Sequence, residues 1–115
     1  MRHIEDNLQI SCIRWFDYQY PKIKMLLHHS PNGGKRQIRE AARFKQMGVR
    51  AGFPDVILLI GNGQFNALCI EFKTEKGRQT ELQKEWQKEA EKNGNKYVIC
   101  RSIDNFIHEI KNYLK

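Results

Sequence analysis

The sequence is short of cysteine and has no long apolar run and no repeat, and each shortage removes a class of protein. Cys12, Cys69 and Cys100 sit inside apolar patterns without any close paired spacing, which excludes a disulfide framework and a zinc site and leaves three core thiols. The longest apolar stretches, such as Val56 to Ile60, are too short to cross a bilayer. Arg2, Glu5 and Asp6 charge the N-terminus, unlike a secretory signal, so an intracellular protein without a membrane partner is expected. At 115 residues, 40% hydrophobic and 29% charged, residues 1–115 suit one domain with a modest core and no room for a second.

What is present in excess is positive charge, and it is uneven. The formal net charge is +7, and residues 2–50 account for most of it, with ten Lys/Arg against Glu5, Asp6, Asp17 and Glu40. Cations gathered in one part of a chain suit a polyanion, because each neutralised phosphate releases condensed counterions; a solvated basic face is the plainer alternative. Lys35, Arg36, Arg39, Arg43 and Lys45 are the candidate phosphate contacts, following the flexible Gly33-Gly34 loop and repeating along a helix.

The periodicity predicts a helix over Ile4 to Tyr20, stopped by Pro21, and a short strand within Lys24 to His29. Gln37 to Met47 follows as a helix ended by Gly48. Gly52-Phe53-Pro54-Asp55 leads into the strand Val56 to Ile60, and Gly61-Asn62-Gly63 turns the chain into a second strand over Ala67 to Lys73. Thr80-Glu81-Leu82-Gln83 has the form of a capping box opening a helix, Tyr97 to Arg101 reads as a strand, and Ser102 starts a last helix. Trp15, Phe16 and Trp86 fall on helical stripes and are expected in the core or at a subunit interface.

In the second strand of the hairpin Glu71 and Lys73 share a face. If Ile60 pairs with Asn66, the antiparallel register sets Asp55 opposite Glu71, close enough for both carboxylates to hold one ion. Phosphodiester cleavage needs a hard cation with oxygen ligands, which Asp55, Glu71 and the Phe72 main-chain carbonyl can supply, and Lys73 beside it can stabilise negative charge. Glu-x-Lys on a strand is commonly only a surface ion pair. Acidic groups set against the buried end of a sheet are costly, however, and a function is the simplest compensation. His28 and His29 point to opposite faces and suit structural or phosphate-contacting roles.

Gly52-Phe53-Pro54-Asp55, Ile70-Glu71-Phe72-Lys73 and Gln83 with Trp86 resemble the VRR-NUC family, a branch of the PD-(D/E)XK nucleases. The likeness extends to Glu5 with Gln9, Pro31-Asn32-Gly33-Gly34, Ala41-Ala42-Arg43 and Met47-Gly48, and covers nearly the whole chain. The resemblance implies an α/β fold, a mixed central sheet flanked by helices in the order helix, strand, helix, hairpin, helix, strand, helix. It implies that Asp55 and Glu71 bind Mg²⁺ (Mn²⁺ as the alternative), that Lys73 assists catalysis, that Gln83 supports the site, and that Glu5 joins from the first helix. Gln83 has a competing role in its capping box, and Glu5 in the helix macrodipole.

The same resemblance implies a DNA endonuclease, phage-encoded or bacterial, acting in the bacterial cytoplasm as a homodimer that cuts branched DNA such as Holliday junctions. A nuclease of flaps, nicks or ends, and a non-catalytic DNA-binding module of the same fold, are the open alternatives.

Overall fold

The computed structural model describes residues 2–31 and 38–115. Helix α1 (Arg2–Gln19) places Leu8, Cys12 and Phe16 on one stripe, and Cys12 and Phe16 are fully buried. Ile4, expected on the same stripe, is exposed instead. The segment expected as a strand over Lys24 to His29 divides into a 3₁₀ turn, Lys24–Leu26, and a short strand β1, Leu27–His29. Helix α2 (Ile38–Gln46) ends two residues before Gly48, whose φ of +109° a residue with a Cβ rarely adopts. Of its described side chains only Phe44 is half-buried, so α2 lies to the side of the core.

Strands β2 (Val56–Leu58) and β3 (Leu68–Phe72) pair antiparallel, and β4 (Lys96–Cys100) joins β3 in parallel. With β1 antiparallel to β2, the sheet order is β1-β2-β3-β4, and the sheet is mixed. Val56 aligns with Ile70 and Leu58 with Leu68, the register expected from the sequence. The ladder is shorter than expected and does not reach Ile60 and Asn66. The Asn66 N–H donates to the Gly94 carbonyl at 2.8 Å, and the Leu59 N–H to Leu26 at 2.8 Å.

All five residues of β3 are buried, because helices cover both of its faces. Leu68, Ile70 and Phe72 join Val56, Leu58, Val98 and Cys100 against Cys12 and Phe16 of α1 and Phe106, Ile110 and Tyr113 of α4 (Ile103–Tyr113). Helix α3 (Glu81–Lys92) covers the opposite face, where Trp86 and Ala90 line a cavity with Ala67 and Cys69. The three cysteines are free and buried, as expected. At the rim reached by the 61–66 connection, Tyr113 Oη donates to the Ile60 carbonyl at 2.7 Å and Asn66 Nδ2 to Asn93 at 3.1 Å. Asp55 lies at the other rim, just before β2.

Candidate active site

Extending the β2–β3 register by one residue sets Asp55 opposite Glu71, and the side chains meet there. Asp55 Oδ2 accepts the Phe72 N–H at 2.7 Å, which holds the carboxylate against the end of β3. In an antiparallel ladder a residue's N–H and C=O point to the same side, so the Phe72 carbonyl also opens toward Asp55. Glu71 is 2% exposed and Lys73 8%.

Gln83 bonds in two directions. Its Oε1 accepts the Thr80 N–H at 2.9 Å to close the capping box, while its Nε2 donates to Glu71 Oε2 at 2.8 Å. The start of α3 thus orients the buried carboxylate. Tyr97, on β4, donates from its hydroxyl toward Glu71 Oε1 at 3.5 Å. From α1, Glu5 Oε2 accepts the Thr74 N–H at 3.4 Å, which brings it to the residue after Lys73. His29 Nδ1 donates to the main-chain carbonyl of Asp55 at 2.7 Å, which fixes the proton on that nitrogen.

Electrostatics mark the pair as under-compensated. The Glu71 carboxyl is pushed up to about 8, by burial first and by the neighbouring Asp55 charge second, with Lys73 giving partial relief. Asp55 is also held above its ordinary value by burial, with the Phe72 N–H, Glu71 and His29 acting in the opposite direction and Glu5 adding a smaller upward push. Among the described residues no ion pair joins Lys73 to either carboxylate. Two buried carboxylates facing one another fit a hard divalent cation, whose charge would stabilise both in ionised form. No set of three His, Cys, Asp or Glu side chains converges among the described residues.

The candidate phosphate contacts divide. Arg43 and Lys45 are exposed on α2, while Lys35, Arg36 and the Arg39 side chain lie outside the described residues. Sequence reasoning missed Tyr97, because what brings it to Glu71 is the parallel pairing of β3 with β4, which no local pattern encodes, and Thr74, whose amide meets Glu5 across the fold. The edge pairing of β1 with β2 likewise gives His29 its sharper role. Among the described residues no helix is long and apolar enough to cross a membrane.

The mixed four-stranded sheet, helices on both faces and an Asp/Glu/Lys cluster at one rim define a PD-(D/E)XK-type α/β fold. Residues 4–104 match the family model of the VRR-NUC domain, and the chain belongs to that family. A solved structure described as a VRR-NUC domain protein superposes with a TM-score of 0.83 at 37% identity, over 96% of this chain and 87% of that one. None of the curated proteins matches the chain in sequence. The domain is therefore of a nuclease type, a DNA-processing module whose substrate is DNA.

Proposed function

We propose that the chain is a divalent-metal-dependent endonuclease that hydrolyses phosphodiester bonds of branched DNA such as Holliday junctions, in a bacterial cytoplasm. The observation that carries this reading is the buried carboxyl pair Asp55 and Glu71, both held above their ordinary pKa, with Lys73 beside it. The reaction is in-line attack of water on the phosphorus, leaving 5′-phosphate and 3′-hydroxyl ends. Asp55, Glu71 and the Phe72 carbonyl would hold Mg²⁺, with Mn²⁺ an acceptable substitute since both take oxygen ligands. When bound, the ion supplies Lewis acidity toward the phosphate and a lowered pKa for water.

The protein's part is positional. The Phe72 N–H and Gln83 Nε2 each hold one oxygen of a carboxylate in place, so the pair enters the reaction already oriented. The Lys73 ammonium, buried and without an ion-pair partner among the described residues, stabilises the negative charge that grows on the phosphate oxygens. Glu5 holds the Thr74 amide, and with it the segment after Lys73. Two copies related by a two-fold axis would present two such sites to opposed strands, as symmetric junction cutting requires.

The test compares cleavage of labelled four-way junction, flap and linear duplex DNA in Mg²⁺ and in Mn²⁺ by wild type, Asp55→Asn and Lys73→Ala, with sedimentation recording the number of chains per particle. The expected result is junction cutting by a two-chain particle, reduced on the order of 10²-fold or more in both variants while DNA binding persists. Cutting confined to flaps or ends would discard the junction substrate and keep the chemistry. Firm, salt-sensitive binding without cleavage in either metal would leave a DNA-binding module and sink the enzyme.

A further inference from the structure

Arg101 follows β4 and stands one residue ahead of Ser102, the cap of α4. Because β4 runs parallel to β3, with the Lys73 N–H donating to the Cys100 carbonyl at 3.1 Å, Arg101 falls beside the turn that leaves the site. Its Nη1 donates to the carbonyls of Thr74 at 2.8 Å and Gly77 at 2.6 Å, and more weakly to Glu75 at 3.4 Å. The Thr74 carbonyl also accepts the Gly77 N–H at 3.1 Å, and a Cβ at Gly77 would stand 2.9 Å from the Thr74 hydroxyl, so the turn is tight as well as clamped.

A guanidinium carries five N–H donors in a planar fork. The three bonds to the turn all use Nη1, and Nε and Nη2 have no hydrogen-bond partner among the described residues. Arg101 is exposed, and with Glu5, Lys73, Thr74, Glu75 and Ile103 it lines a cleft of about 470 Å³ between α1 and the turn. The N-terminus of α4, at Ile103, opens on the same cleft and adds the positive end of its dipole.

We propose that Arg101 binds a DNA backbone phosphate in this cleft, its Nη1 holding the 74–77 turn while Nε and Nη2 take the phosphate oxygens beside Lys73. The proposal rests on the nuclease reading above. Two cations, Lys73 and Arg101, and two carboxylates, Glu5 and Glu75, face the cleft, so an anion is held there by directed hydrogen bonds and not by net charge. The fork geometry of arginine matches two oxygens of a phosphodiester. The clamp on the turn also fixes the guanidinium before DNA arrives, which lowers the ordering cost of the contact.

The test is binding of a fluorescein-labelled duplex and a four-way junction in EDTA, as a function of salt. Arg101→Gln, which keeps amide donors for the turn, is expected to weaken binding several-fold and to reduce the slope of log K against log salt by about 0.9, the loss of one phosphate contact. In the wild-type chain, saturating DNA is expected to protect Arg101 from phenylglyoxal, a readout independent of whether the variant folds. An unchanged slope in a folded Arg101→Gln, or modification of Arg101 at the same rate with and without DNA, overturns the proposal. A wild type that cuts DNA while the Arg101→Gln slope stays unchanged removes Arg101 and leaves the nuclease standing. A reduced slope in a chain that cuts with neither metal does the reverse.

Discussion

Glu71 carries a carboxyl that the fold perturbs strongly. Its carboxyl is buried against another carboxylate, and its pKa is pushed from 4.5 up to about 8, by burial first and by Asp55 second. Between those two values the metal-free folded chain binds more protons than the unfolded one, so the stability this group contributes is full below about 4.5 and lost as pH rises toward about 8. The melting temperature of the metal-free protein should therefore fall across that window, and Glu71→Gln should flatten the decline. Mg²⁺ added at the alkaline end should restore the melting temperature, since an ion that binds only the folded state stabilises it by mass action. A metal-free melting temperature that rises through the window would contradict this account. Asp55, Glu71 and Lys73 were legible in the sequence because period-two alternation and one hairpin register fix their relation. His29, Tyr97 and Arg101 were not, since their places depend on an edge pairing and a crossover.

Among the elements, α3 links folding to the site most directly. Its capping box contains Gln83, and the same side chain orients Glu71, so the two functions separate by mutation. Thr80→Ala should cost about 1 kcal/mol of stability, the usual value of an N-cap, while cleavage stays within about twofold because the Gln83 bond to Glu71 remains. Gln83→Ala should lose cleavage in addition to stability; equal cleavage by the two variants would show that the Gln83–Glu71 bond plays no part. The boundaries of α1, α3 and α4 were readable from caps and apolar stripes. The hairpin was readable in register but not in length, because Leu59 and Asn66 spend their amides on Leu26 and Gly94, contacts distant in sequence. The 3₁₀ turn before β1 has no periodic signature either, since three residues are too few to show one.

Over the whole molecule, charge and site fall on different elements. The surplus of cations lies in residues 2–50, whereas the carboxylates lie at the ends of β2 and β3. Arg43 and Lys45 are exposed on a helix that stands aside from the core, so reversing both to glutamate should weaken DNA binding on the order of tenfold at low salt and leave the melting temperature in place. Unchanged affinity would remove α2 from the DNA-binding surface. The uneven charge was visible in the sequence. Where it lies relative to the carboxylates was not, because that depends on how the sheet is ordered.

The sheet also gives the molecule a front and a back. Asp55, Glu71, Lys73 and Arg101 gather at one rim, while the connection through Gly63 and the turn at Gly94 occupy the other, a strand's length of roughly 17 Å away. Among the described residues nothing lies within 4 Å of the position a Cβ would take at Gly63. A tether or dye attached around that loop would be anchored to the rigid sheet through Ile60, Asn62 and Tyr113, yet stand clear of the working face. The protein can thus be immobilised by its back with its front turned to the solution.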